Sequence, residues 1–294
     1  MTWRIAGKEE GVRRLLARED YQNKFTQGDL NFRMQKVGAT LEEWKNYAAR
    51  QVLPFRREEK HLVNWAMGVI IHICLANGYD LPELGRVIFI KTTMKEECMA
   101  AAYTHGTEIY LGEELLETGL SDDLSYQEFF LCMIAHELFH CFTRSNSAFR
   151  AAMYDILGFH LMKEDIVFSP EIRSKIINNP DVERHNSWAE FTVRGEKKRC
   201  GMVFVTKRPF EEPGDSFMDL MAGGLVPVDD PSVLYEAEDV SDFWEIFGRN
   251  TEYVVDPEEV LADNFGYALI IGPQEERFED PWIIREILNR IRIQ

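Results

Sequence analysis

The strongest chemical signal in this chain is the pentapeptide His136-Glu137-Leu138-Phe139-His140. On an α-helix, residues four apart share a face, so both imidazoles can reach one ion. The intervening glutamate, about 100° around the helix, falls beside the ion's open coordination position. The set suits zinc, with Glu137 as general base toward water. The pentapeptide lies inside an apolar run, FFLCMIAHELFHCF, where two imidazoles and a carboxylate are costly to bury without partners. A metal removes that cost. The competing reading makes His136 and His140 hydrogen-bonded core histidines.

A catalytic zinc takes three protein ligands and keeps one place for water, so a third ligand is required elsewhere. The candidate stretch is Pro257-Glu258-Glu259-Val260-Leu261-Ala262-Asp263-Asn264-Phe265-Gly266, which opens a helix. Here the chain resembles the gluzincin (thermolysin-like) zinc metallopeptidases, whose second motif reads E-x-x-[SA]-D-x-F-G. Glu259, Ala262, Asp263, Phe265 and Gly266 match it. The resemblance implies that Glu259 supplies the third ligand and that Asp263 accepts a hydrogen bond from the far nitrogen of a ligand histidine, His136. Such an outer carboxylate fixes the tautomer and raises ligand basicity. Two alternatives stay open. Asp256 and Glu259 also have capping-box spacing, and Glu258, at the centre of the helix's apolar stripe, competes as ligand.

The resemblance covers two short segments, and the gap between His140 and Glu259 is much longer than in thermolysin. It implies an insertion, residues 146–250, that builds a second lobe and part of the cleft. The family's asparagine before the third ligand is Glu258 here, and no histidine follows Glu259 to polarise a tetrahedral intermediate. Tyr253 is the first candidate for that task, since a phenol can donate to developing negative charge; an ordinary packed tyrosine is the competing reading. Tyr267, Arg285 and His185 are further candidates. The expected activity is zinc-dependent peptide hydrolysis, with the strand TEIYLG (107–112) adding substrate backbone along the cleft. The absence of a G-x-M-E-N amine anchor favours an endopeptidase. The rival readings are an inactive zinc-binding module that binds protein or peptide, and an exported protease effector.

The elements that must position these residues can be read from periodicity. Residues 41–77 form two helices broken near Pro54, the second burying Leu62, Trp65, Ala66, Ile70, Ile73 and Cys74, with His72 a core histidine. RVIFIKTT (86–93) and TEIYLG read as strands. The HExxH helix starts near Ser125, with Ser125 and Glu128 as a capping box, and another helix spans 146–165. Proline and Gly223-Gly224 punctuate a looser stretch from 169 to 231, within which SWAEFTV and GMVFVTKRPF flank a charged turn, RGEKKRC. Asp256-Pro257 opens the third-ligand helix. A final amphipathic helix spans 280–294. The expected fold is α+β and zincin-like: a small mixed sheet packed on the HExxH helix, then a mostly helical C-terminal lobe with an inserted hairpin. The lobes divide at 1–145 and 146–294 within one catalytic unit.

A chain of 294 residues can bury a sizeable core. A net charge of -17 disfavours nucleic acid and anionic membrane surfaces as partners. The five cysteines, without a C-x-x-C pair, suit a reducing cytoplasmic compartment. No stretch has the length of a membrane span and the N-terminus has no apolar core of a signal peptide, so the expected location is cytoplasmic, with non-classical export left open.

Overall fold

The computed structural model describes residues 1–215 and 217–292. Five strands build the first sheet: Thr2–Ile5 (β1), Val52–Leu53 (β2), Arg86–Thr92 (β3), Ala102–His105 (β4) and Glu108–Gly112 (β5). The order is β1-β3-β5-β4. β1, β3 and β5 are parallel, β4 runs antiparallel to β5 at one end, and β2 pairs antiparallel with the C-terminal end of β3. Period-2 alternation sends Val87 and Phe89 to one face and Ile88 and Ile90 to the other. Both faces are covered, which is why this strand reads as an unbroken apolar run. The first face packs on the helix Leu124–Ser145, which carries HExxH; the second packs on Trp44, Ala48 and Leu15 of N-terminal helices.

The strand TEIYLG is therefore interior. It lies between β3 and β4, both of its edges are paired, and the outer strand is β4. Its sequence, AYTH, follows Met99-Ala100-Ala101, and alanine there masks the β-pattern.

The HExxH helix starts at Leu124. Its cap is Asp123, whose Oδ1 accepts from Ser125 N at 2.8 Å, in place of the Ser125 box. In the helix Arg57–Asn77 the apolar stripe is centred on Leu62, Val63, Ala66, Met67 and Ile70, while Trp65 and His72 face outward, so His72 is no core residue. The helix expected over 146–165 stops at Tyr154, after which a 3-10 turn (Asp155–Leu157) runs into Gly158 at φ +72°.

The C-terminal half holds more sheet than a hairpin. His160–Leu161 (β6), Ser187–Val193 (β7), Glu196–Thr206 (β8) and Met221–Pro227 (β9) form a four-stranded antiparallel sheet in the order β6-β7-β8-β9. The β7–β8 turn is only Arg194-Gly195, both with positive φ, as the right-handed twist of the flanking strands requires. The charged EKKRC thus belongs to the strand. β9 contains Gly223 and Gly224. A Cβ on Gly223 would lie 2.5 Å from the Val254 carbonyl oxygen, so glycine here admits a passing backbone and is not a loop signal.

The helix Pro257–Ile270, which carries Glu258 and Glu259, has Asp256 as N-cap and proline at its first position. It lies along the HExxH helix, and the two approach closely at Gly266, where a Cβ would meet the Cys132 carbonyl oxygen at 2.6 Å. Phe139 and Phe142 pack against Phe265 with ring centroids 5.3 and 6.1 Å apart. All three rings are fully buried, each contributing about 2–3 kcal/mol. The final helix spans Pro281–Ile291 and buries Ile283, Ile284, Ile287, Leu288 and Ile291; its expected end at 293–294 lies outside the described residues. Among the described residues, no helix is long and apolar enough to cross a membrane.

Candidate metal site

The two packed helices bring His136, His140 and Glu259 together. Glu259 Oε2 lies 3.2 Å from His136 Nε2 and 3.6 Å from His140 Nε2. Ligand bonds of about 2.0–2.2 Å in a tetrahedron set ligand atoms about 3.3–3.5 Å apart. The two distances from Glu259 Oε2 are therefore close to the edges of such a tetrahedron. All three side chains are buried, and one potential ligand atom from each lies within 4.8 Å of the others.

The far nitrogens are occupied. His136 Nδ1 meets Asp263 Oδ1 at 2.8 Å, and His140 Nδ1 meets Glu258 Oε1 at 3.1 Å. A neutral ring that donates from Nδ1 presents the lone pair of its Nε2 toward Glu259. Buried His140 Nε2 has no hydrogen-bond partner, which is costly unless an electrophile sits there. Two neutral imidazoles and one carboxylate form a donor set that zinc accepts.

Glu259 is not a helix cap. Asp256 Oδ1 accepts from Glu258 N instead, and the Glu259 carboxylate turns toward the histidines, where Asn179 Nδ2 also donates to its Oε1. Glu258 points to the opposite side of His140. It accepts from Tyr154 Oη at 2.8 Å and from Thr143 Oγ1, so it holds His140 as Asp263 holds His136. Asp263 is itself fixed by Thr251 Oγ1.

Electrostatics point the same way. Burial alone would raise the Glu259 and Glu258 carboxyls. The nearness and charge of His136 and His140 hold Glu259 far below its ordinary range, and hydrogen bonds from His140 and Thr143 with the charge of Arg150 hold Glu258 down. Burial opposes charge on both imidazoles, yet Asp263 and Glu259 push His136 well up, and Asp181, Glu258 and Glu259 lift His140 to about 10. Without a cation among them, these acids draw protons onto the histidines; a divalent ion bound there would take the place of those protons.

Glu137 is 1% exposed and accepts from Thr104 Oγ1 of β4 at 2.6 Å through its Oε2. Burial raises its pKa, so it takes a proton more readily than an exposed carboxylate. Its other neighbour, Asp181, carried no signal in the sequence. It comes from the inserted segment, stands 3.9 Å from His140 Nε2, and is raised to about 8 by burial and by Glu137 and Glu259. Its Oδ1 accepts from Thr104 N at 2.8 Å.

A cavity of about 500 Å³ opens onto the site, with His136, Glu137, Asp181, Glu259 and Asp263 in its wall. Tyr253 and Tyr267 line it too. Tyr253 is half-buried against Phe204, and burial together with the nearby Glu259 and Asp181 raises its pKa strongly, so it keeps its proton and can donate. His185 packs against Phe168 beside the second sheet, and Arg285 is exposed on the final helix; neither lines the cavity. No family model matches this chain, and neither curated proteins nor solved structures yield a match.

Proposed function

We propose that this chain is a zinc-dependent peptidase with a zincin-like catalytic core, in which His136, His140 and Glu259 hold the metal. The observation that carries the reading is the buried, partnerless Nε2 of His140, facing the same Glu259 oxygen as His136 Nε2 while both far nitrogens are held by carboxylates. Zinc held there supplies a Lewis acid that polarises a carbonyl and lets water lose a proton near neutral pH.

The chain's own residues do the rest. Thr104 fixes Oε2 of Glu137, and the other carboxylate oxygen takes the proton from water. As the C–O bond forms and the C–N bond breaks, Glu137 passes that proton to the leaving amine nitrogen, and the water oxygen ends in the new carboxylate. Tyr253 donates a hydrogen bond to the oxygen that gains negative charge. Asp263 and Glu258 keep the imidazoles oriented throughout.

The test is metal analysis of the purified chain with cleavage of a peptide library by the native protein and by Glu137→Gln. The reading predicts one zinc per chain in both and cleavage only by the native protein. Activity retained in Glu137→Gln would remove Glu137 from the chemistry. Stoichiometric zinc with no cleavage by the native protein would make the chain a binding module.

A further inference from the structure

The geometry points to a cleft that is closed on one side of the ligand set and receives the free amino terminus of a peptide. This rests on the peptidase reading and departs from the interior cleavage that the missing G-x-M-E-N motif suggests.

The closure is visible on the outer strand. β4 passes the general base at Thr104, whose hydroxyl binds Glu137. The Thr104 N–H and C=O point away from β5, and both are taken: the N–H by Asp181 Oδ1 at 2.8 Å, the C=O by Arg144 Nη1 at 2.7 Å. By the two-residue alternation of a strand, the Ala102 N–H and C=O point the same way. Ala100, Ala101 and Ala102 line the cavity. A peptide adding to this edge can therefore pair beside Ala102 and must stop at Thr104.

What stops it is the segment 178–181, which is pinned along its length. Asn178 N donates to Asp29 Oδ1 at 2.8 Å and Asn178 Nδ2 to Asp29 Oδ2 at 2.7 Å; the Asn178 carbonyl accepts from Arg33 Nη2 at 2.6 Å and Tyr21 Oη at 3.1 Å. Asn179 Oδ1 accepts from Asp181 N, its Nδ2 donates to Glu259, and the Pro180 carbonyl accepts from Arg144 Nη2. Asp29 and Arg33 are themselves buried and paired at 2.9 Å. Such a segment is a wall, not a flap. Beyond it lies a separate cavity of about 450 Å³, and Asp181 borders both spaces.

Charge decides which chain end meets this wall. The cavity lining carries Glu97, Glu137, Asp181, Glu259 and Asp263 against one cation, Arg33, which Asp29 and Glu97 already engage. Even with a divalent ion bound, the acids are in excess. Asp181 Oδ1 is itself met by Arg144 Nη2 at 3.6 Å, so the selecting field is that of the acidic lining as a whole, which repels a terminal carboxylate and is complementary to an α-ammonium.

The experiment uses the zinc-loaded full chain and one peptide sequence in four forms: both ends free, N-acetylated, C-amidated, and head-to-tail cyclic, with products read by mass spectrometry. The inference predicts stepwise loss of residues from the amino end of the free and C-amidated forms, an approximately 100-fold slower reaction of the N-acetylated form, and an intact cyclic peptide. Interior cleavage of the cyclic or acetylated peptide at comparable rates would overturn it while leaving the peptidase reading in place. Should no form be cleaved, calorimetric binding of the same four peptides to zinc-loaded Glu137→Gln separates the two readings. Binding confined to peptides with a free amine supports the inference and sinks hydrolysis; equal binding of all forms, or of none, overturns the inference.

Discussion

The helices that carry His136, His140 and Glu259 and the segment that walls the cleft meet at Glu259 but are held in different ways. The helices are joined by apolar packing, with the Phe139, Phe142 and Phe265 rings between them and Gly266 against the Cys132 backbone. The wall, residues 178–181, is held by bonds between its own backbone groups and side chains of distant elements, Asp29, Arg33 and Arg144. Packing sets the distance between ligands, and polar bonds set the shape of the space in front of them.

If that division is right, substitutions in the two regions should fail in different ways. The largest effect belongs to the ligands: Glu259→Ala should eliminate stoichiometric zinc binding and with it hydrolysis, measured by metal analysis and peptide cleavage, while the apolar core keeps the chain folded. Next comes the wall's anchor. Asp29→Ala leaves Arg33, 2% exposed at its side chain, without one of its two acidic partners, and should cost about 3 kcal/mol in urea unfolding. It should also speed amide exchange around Asn178 more than around His136.

The outer carboxylates lie between these extremes. Asp263→Asn and Glu258→Gln keep shape but loosen a ligand imidazole, and each should weaken zinc by about 10–100-fold in competition with a chelator. Equal loss from both would mean that the two histidines are held alike. Gly266→Ala drives a methyl toward a carbonyl oxygen and should cost about 1–3 kcal/mol with a measurable fall in zinc affinity, because it separates the two ligand helices. Unchanged affinity would show that packing does not set the ligand distance.

The smallest effect is a pH dependence far from the metal. Burial lowers His185 to about 4 from an ordinary 6.5, so the unfolded chain binds a proton there that the folded chain refuses. Its contribution to stability is present above pH 6.5 and is lost as the pH falls toward 4. His185→Phe should flatten that slope, by on the order of 1–3 kcal/mol across the window, in unfolding curves at pH 5 and pH 7.

The same contrast explains what the sequence made legible. His136, Glu137 and His140 follow from helical spacing, and the Glu259 and Asp263 pair sits one turn apart on a helix whose start is marked by Asp256-Pro257. The wall left no such trace, because Asn178, Asn179 and Asp181 owe their positions to partners 149, 80 and 77 residues away in the chain. No local period encodes such contacts. β4 was hidden by its alanines and β9 by its glycines, which satisfy close approach instead of strand propensity. Glu258 read as a rival ligand since burial was evident but direction was not; only the packing of Tyr154 and Thr143 turns it to the outer side of His140.

X-ray absorption at the zinc edge of the zinc-reconstituted 294-residue chain tests the central claim most directly. Scattering from two imidazoles and light oxygen donors at about 2.0–2.2 Å, with one imidazole lost in His140→Ala, is the predicted result. Zinc bound through sulfur near 2.3 Å, as Cys98 or Cys132 in the cavity wall could supply, or zinc with no imidazole scattering, would contradict it.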